Sequence, residues 1–312
     1  MTKDFDYIVI GDGVAARSIL YFLTRKHPDS RICQLFDNDA FPPCSINTTS
    51  VVSMGLFAEG LSKLGDILFH AHEFIDTFFK QEGIQGVHPA TQYYLPPDIK
   101  EDPLKFKQFE ARYGTNFENF KGLQTVAKDA YLINPQVFLG WLKAQYEDKI
   151  ISRVQRVTEL PKTNAKLILA TSAYTSLFYK NKNLPEGKPV KGTFFSWNNF
   201  KADKSFVLSR GHYNLVYRKE DELLLFGANS IEGLCQLHSP KEVYEKLTVF
   251  EGDLPELKQL GSPQIHTGIR HKGKRRTPFC GEVEEGVYAL TGLYKNGWSA
   301  GISLAKELVD ML

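Results

Sequence analysis

In the stretch DYIVIGDGVAARSIL, Gly11, Gly13 and Ala16 stand at G-x-G-x-x-A spacing. Residues of these types at this spacing do no covalent chemistry; they bind phosphate. Glycines let the backbone approach a pyrophosphate closely, and a helix beginning at Val14 and Ala15 aims free N–H groups and a positive dipole end at it. Ala16 is the smallest side chain that can replace the third glycine, whose usual task is close packing of helix on strand. Asp12 is less expected, because a carboxylate beside a diphosphate repels it unless it turns toward solvent or caps a neighbouring N–H. Asp37, with Asn38 beside it, stands 26 residues beyond Gly11, where a carboxylate accepts both ribose hydroxyls of an adenosine. Motif and acid alone fit NAD as well as FAD. No Ser-His-Asp or paired-carboxylate signature is readable. Cys33, Cys44, Cys235 and Cys280 are scattered, with no C-x-x-C pair and no histidines at ligand spacing, so they read as reduced thiols and no metal site is expected.

The elements that must position these residues follow from periodicity. Residues 6–10 form an apolar β-rich run, and VAARSILYFLTR places Val14, Ile19, Leu20, Phe22 and Leu23 on a helix. After the turn KHPDS, RICQLFD reads as a second strand ending in Asp37, which completes a β-α-β unit. Leu61, Leu64, Ile67, Leu68, Ala71, Phe74, Ile75, Phe78 and Phe79 recur at helical spacing and predict an amphipathic helix over 61–82. HPATQYYLPP reads as a strand and DPLKFKQFEARYG as a short helix ended by Gly114. Asn134 as N-cap and Pro135 in the first turn predict a helix over 135–148. Strands are expected at 150–158 and 166–170, the second apolar throughout and therefore buried on both faces. From 190 to 230 the runs GTFFSW, SFVLSRGHYNLVYRK and ELLLFGAN suggest an antiparallel sheet, and residues 240–250 a helix. The chain closes as strand, glycine loop and helix.

A chain of 312 residues can bury a large core, and 42% hydrophobic with 24% charged residues is ordinary for a globular protein. A net charge of +2 argues against coating nucleic acid, although the run His271 to Arg276 is a local basic cluster. No signal peptide or membrane span is readable near the amino terminus, which suggests a cytoplasmic protein with no membrane partner.

Several segments, in order, resemble the FAD-dependent amino-acid and amine oxidases of the D-amino-acid oxidase family, which includes glycine oxidase and sarcosine oxidase. They are the amino-terminal motif with Asp37, SINTTSVVSMG, LINPQVFLGWL, RVTEL, LPEGKPVKGTFFSW and the long segment HTGIRHKGKRRTPFCGEVEEGVYALTGLYKNGWSAGISLAKELVDML. The resemblance implies an α/β fold: a Rossmann-like FAD-binding domain (1–83, 131–180 and 265–312) interleaved with an antiparallel-sheet substrate domain (84–130 and 181–264). It implies FAD contacts from Ser45, Thr48, Thr49 and Ser50, from Val157 at the adenine, from Thr171 and Ser172, and from Gly268 and Arg270. A glycine loop, Gly292, Leu293, Tyr294, Lys295, Asn296, Gly297 and Trp298, would lie against the flavin ring, with the last helix aiming its amino end at the ring.

The activity so implied is oxidation of the C–N bond of a small amine or amino acid by hydride transfer to flavin N5, with oxygen as acceptor. Arg270, on the family's G-x-R, would grip a substrate carboxylate, and Tyr217, on a strand expected to face the flavin, is the second catalytic candidate. With no cysteine aligned to the attachment point of sarcosine oxidase, the FAD is expected to be non-covalent. The chain departs from the family at Leu20, where a small residue is common, and at Ala170-Thr171-Ser172-Ala173-Tyr174, where a glycine is usual. Other readings are a flavin-binding protein with decayed catalysis, an NAD enzyme, and an oxidase of a modified nucleoside in transfer RNA, which the basic run would suit.

Overall fold

The computed structural model describes residues 5–55, 57, 59–60, 62–234 and 237–312, so Leu61 and Cys235 lie outside the described residues. Strand and helix alternate at first: β1 (Tyr7–Ile10), α1 (Val14–Lys26), β2 (Ile32–Phe36), β3 (Val51–Ser53), α2 (Lys63–Phe79), β4 (Val87–Tyr94), α3 (Pro103–Tyr113), β5 (Phe117–Phe120), β6 (Leu123–Ile133), α4 (Pro135–Ala144), β7 (Ile151–Val154) and β8 (Lys166–Leu169). Strands then dominate: β9 (Lys188–Trp197), β10 (Phe206–Arg210), β11 (Tyr213–Arg218), β12 (Leu223–Gly227), β13 (Ile231–Glu232), α5 (Lys241–Asp253), β14 (Gln264–Lys272), β15 (Phe279–Glu284), β16 (Val287–Thr291) and α6 (Ala300–Asp310).

The four residues of β1 are buried because β2 and β8 run parallel along its two edges, with Tyr7 opposite both Ile32 and Lys166. The order of this sheet is β15-β16-β8-β1-β2-β7, and β15 alone runs antiparallel among its described strands. Helices α1, α2, α4 and α6 cover one face, burying Ile19, Ile75, Phe138, Ile302 and Leu308 in a continuous core. Leu20 belongs to the same core and is fully buried, so the larger side chain is absorbed by the helix layer. The opposite face buries Ile8, Ile10, Leu35, Leu167 and Ala289.

A second sheet runs β13-β9-β12-β11-β10-β4-β6-β3, with β14 added on β9 and β5 on β6; its one parallel pair among the described residues is β4 with β10. Phe195, Leu215, Tyr217, Phe226 and Phe250 form the core between this sheet and α5. The boundaries expected at 131 and 265 fall inside β6 and β14, both strands of this sheet. The chain crosses to the first sheet after each of these strands, through α4 and through the turn between β14 and β15.

Local ends follow from caps and burial. Ser62 Oγ accepts the Gly65 N–H at 3.0 Å and starts α2, while Asn134 Oδ1 accepts the Val137 N–H at 3.3 Å and starts α4. Helix α4 stops at Ala144, short of the expected 148, because Tyr146 turns into the core at 1% exposure and a single 3-10 turn follows. No helix among the described residues is long and apolar enough to cross a membrane.

Candidate active site

Residues from both sheets line a cleft of about 390 Å³, within the roughly 300–1,000 Å³ of an ordinary small-molecule pocket. Of the residues expected at the cofactor, Gly11, Gly13, Val14, Ala15, Asp37, Asn38, Ser45, Thr48, Thr49, Ser50 and Val157 line it, as do Thr171, Ser172, Gly268, Arg270, Gly292, Tyr294, Lys295, Asn296, Gly297 and Trp298. Ala16 does not; it lies fully buried beneath the turn.

At one end the β1–α1 turn is tightly built. Gly11 has φ +131, and a Cβ there would sit 2.5 Å from the Ala170 carbonyl oxygen and 3.5 Å from the Ala16 methyl, so only glycine above and a small residue below fit this crossing. Ser45 Oγ accepts the Val14 N–H at 2.9 Å, and α1 has no side-chain cap at Gly13. Asp12 does not turn to solvent; it is held in a buried network of hydrogen bonds and an ion pair. Its carboxylate is buried against Arg17, whose Nε and Nη2 donate at 2.9 and 2.7 Å, and it also accepts from Gln34 Nε2 at 3.1 Å and Asn38 Nδ2 at 2.8 Å. Four donors neutralise the charge, so it does not confront a phosphate as a bare anion. Asp37 spends Oδ1 on the Asp39 and Ala40 N–H groups at 3.2 and 3.0 Å, which leaves Oδ2 for a ribose.

At the other end the loop after β16 folds back on β14: the Tyr294 N–H donates to the His271 carbonyl at 2.9 Å. Helix α6 begins beyond it with no side-chain cap and no acid in its first turn, while the Gly301 N–H donates to the Asn296 carbonyl at 3.1 Å. Arg270 Nη2 donates to the Asn229 carbonyl at 2.8 Å, and the guanidinium lies 5.4 Å from the Tyr294 ring centroid. A side chain on Gly192 would occupy the guanidinium's place. Lys295 is open to the water of the cleft yet crowded by protein, and burial with the charges of Arg270 and Arg276 lowers its pKa to about 8.

Tyr217 is not in the cleft. Strand alternation turns Tyr213, Leu215 and Tyr217 toward α5, where the Tyr217 ring meets Phe200 and Phe206 at 5.2 and 5.8 Å. The opposite face of β11 offers Asn214 to the cleft, while Arg218 is held by Asp221 at 2.7 Å and by the Ile133 carbonyl at 2.8 Å. Other residues of the cleft carried no signal in the sequence. His72 sits beside Ala71 on the apolar stripe of α2, at 8% exposure, with burial lowering its pKa to about 4. His271 heads the basic run but points inward, its Nδ1 2.5 Å from Thr291 Oγ1, and burial lowers its pKa. Cys44 lines the cleft, its thiol pushed up to about 11 by burial. Arg112 and His212 line it as well.

The sequence matches the FAD dependent oxidoreductase family over residues 6–311. The chain belongs to that family. It is an FAD-dependent oxidoreductase. Its fold is similar to that of glycine oxidase from Bacillus cereus, with a TM-score of 0.77 at 18% identity, covering 98% of this chain and 96% of that one. It is similar to iminodiacetate oxidase from a Chelativorans species, with a TM-score of 0.79 at 14% identity over 97% and 94% of the two chains. L-proline dehydrogenase from P. horikoshii gives 0.75 at 13% identity over 100% and 94%. No match was found among curated proteins. In the oxidoreductase, the glycine-shaped turn at Gly11 and the carboxylate of Asp37 fit a dinucleotide in the cleft.

Proposed function

We propose that this oxidoreductase oxidises the C–N bond of a small amine or amino acid, with non-covalent FAD and with oxygen as the final acceptor. FAD, when bound, supplies the hydride acceptor that no side chain can provide. In the balance, the amine gives up a hydride from carbon and a proton from nitrogen, water hydrolyses the imine, and oxygen leaves as peroxide. The observation that carries the substrate class is the pair Arg270 and Lys295, two cations in the cleft with no carboxylate within 4.0 Å among the described residues. A planar guanidinium beside an ammonium suits the carboxylate of an amino acid. The neighbours in fold are, by their names, a glycine oxidase, an iminodiacetate oxidase and an L-proline dehydrogenase.

Non-covalent attachment is favoured by the scarcity of thiolate. Burial pushes Cys44 to about 11 and Cys280 to about 12, and Cys280 Sγ donates to the Leu304 carbonyl at 3.3 Å. Free Cys33, Cys44 and Cys280 suit a reducing compartment, and we assign the protein to the cytoplasm.

The test is a peroxide-coupled screen of amines and of D- and L-amino acids on FAD-loaded protein, with flavin bleaching followed without oxygen. Arg270→Ala is expected to raise KM for acidic substrates at least about 30-fold, the loss expected when one partner of a desolvated charge pair is removed. Unchanged KM values would remove Arg270 from this role, and a protein that takes no FAD would end the reading.

A further inference from the structure

The flavin end of the cleft carries more positive charge than one carboxylate requires. Besides Arg270 and Lys295, it is lined by Arg112 from the end of α3 and His212 from the turn between β10 and β11. Arg276, in the turn after β14, acts on the same space: its charge is felt by both Lys295 and His212, and His212 also feels Arg112 and Lys295. The cluster is therefore assembled from well-separated parts of the chain.

No carboxylate among the described residues forms an ion pair with it. Arg112, Arg276 and Lys295 have no carboxylate within 4.0 Å among the described residues. The carboxylates that line the cleft among the described residues are Asp12 and Asp37, both at the β1–α1 and β2 end, and Asp12 is spent on Arg17. Arg210 and Arg218, which also come from the second sheet, each have their own aspartate at 2.7 Å. Burial first, and then the like charges gathered around them, lowers the pKa of Lys295 and of His212. Arg112, His212 and Arg276 are exposed, so water screens them while no anion is present.

We propose that the substrate bears two acidic groups, one received by Arg270 and Lys295 and the second by Arg112 and His212, all four of which line the cleft. It is an amino or imino acid whose additional acid is a carboxylate or a phosphonate or phosphate. This proposal rests on the amine-oxidation reading and narrows it. The second acid lies on the side of the reacting carbon away from the first, and its role is to orient the substrate and raise its local concentration.

Binding is measured without turnover, by calorimetry and by the perturbation of flavin absorption in the FAD-loaded protein, using acids that lack an amine: acetate, succinate, glutarate and 3-phosphonopropionate. At least one diacid is expected to bind about tenfold or more tightly than acetate. Arg112→Ala and His212→Ala are each expected to remove that advantage and to leave acetate affinity within about twofold. The tighter of the dicarboxylates and the phosphonate identifies the second acid. Equal affinity for acetate and every diacid, or variants that weaken acetate and diacids alike, would overturn the proposal and leave a solvated basic rim. A short oligonucleotide that outcompetes every diacid and loses its hold in Arg276→Ala would overturn it in favour of a nucleic acid. Protein that binds diacids but oxidises no amine or amino acid in the peroxide-coupled screen defeats the amine-oxidation reading; protein that oxidises monoacid amines and ignores diacids defeats only this one.

Discussion

Asp12 stands between Gly11 and Gly13, and its neighbours decide what it does there. The pair with Arg17 is nearly dry, with side chains 6% and 13% exposed, and the guanidinium reaches on to the Leu139 carbonyl at 2.9 Å. It therefore ties the cofactor turn to α1 and α4. Removing one partner leaves a buried charge alone, so Asp12→Asn is expected to cost about 3–5 kcal/mol in denaturant unfolding of the apoprotein. Replacing both partners, as in Asp12→Asn with Arg17→Met, recovers a large part of that loss; a double variant as unstable as the sum of the two singles would contradict the pairing. Lys295 makes a second prediction at this scale. Its pKa is lowered to about 8, so the ammonium is present below that pH and lost as pH rises through it. Acetate affinity is expected to fall across that window in the wild-type protein, and the inflection is expected to vanish in Lys295→Arg, whose charge persists. A bound anion favours the charged form, so the inflection moves up when the site is occupied.

At the scale of elements, β11 shows what a sequence reveals and what it hides. Alternation in YNLVYR was plain, and it required Tyr217 and Arg218 to face opposite ways. Which face looks into the cleft depends on where α5 packs, and that contact joins residues far apart in the chain. Apolar Leu215 between two tyrosines fits the α5 side, whereas Asn214 lies among cleft residues with no motif around it. The β1–α1 turn and the loop before α6 were legible for the contrary reason: a close backbone approach demands glycine, and the demand is local. His72, Arg112 and His212 were not legible, because an isolated polar residue on a helix or turn carries no spacing signal. Tyr217→Phe is accordingly expected to leave kcat/KM within about twofold, as a surface or core change remote from a site does, while Asn214→Ala lowers it. Measuring both variants on one substrate decides the matter: a loss confined to Tyr217→Phe would reverse the assignment of faces.

At the scale of the whole molecule, the cleft belongs to neither sheet alone. Gly11, Asp37 and Val157 come from the parallel sheet and its turns, whereas Gly192, Asn214 and Gly268 come from strands of the second sheet. A ligand filling the cleft therefore touches both cores, and its binding free energy adds to the stability of both. At a free concentration one hundred times its dissociation constant, FAD is expected to add about 2.7 kcal/mol and to raise the melting temperature by roughly 5 °C in a chain of this length. Gly11→Ala supplies the control, since the added Cβ would lie 2.5 Å from the Ala170 carbonyl oxygen at a φ that side chains avoid. That variant is expected to melt lower and to show no rise with FAD. Calorimetric melting with and without FAD tests the argument directly: if two transitions appear and FAD raises only one, the cofactor is held by one sheet, and the cleft does not join the two cores.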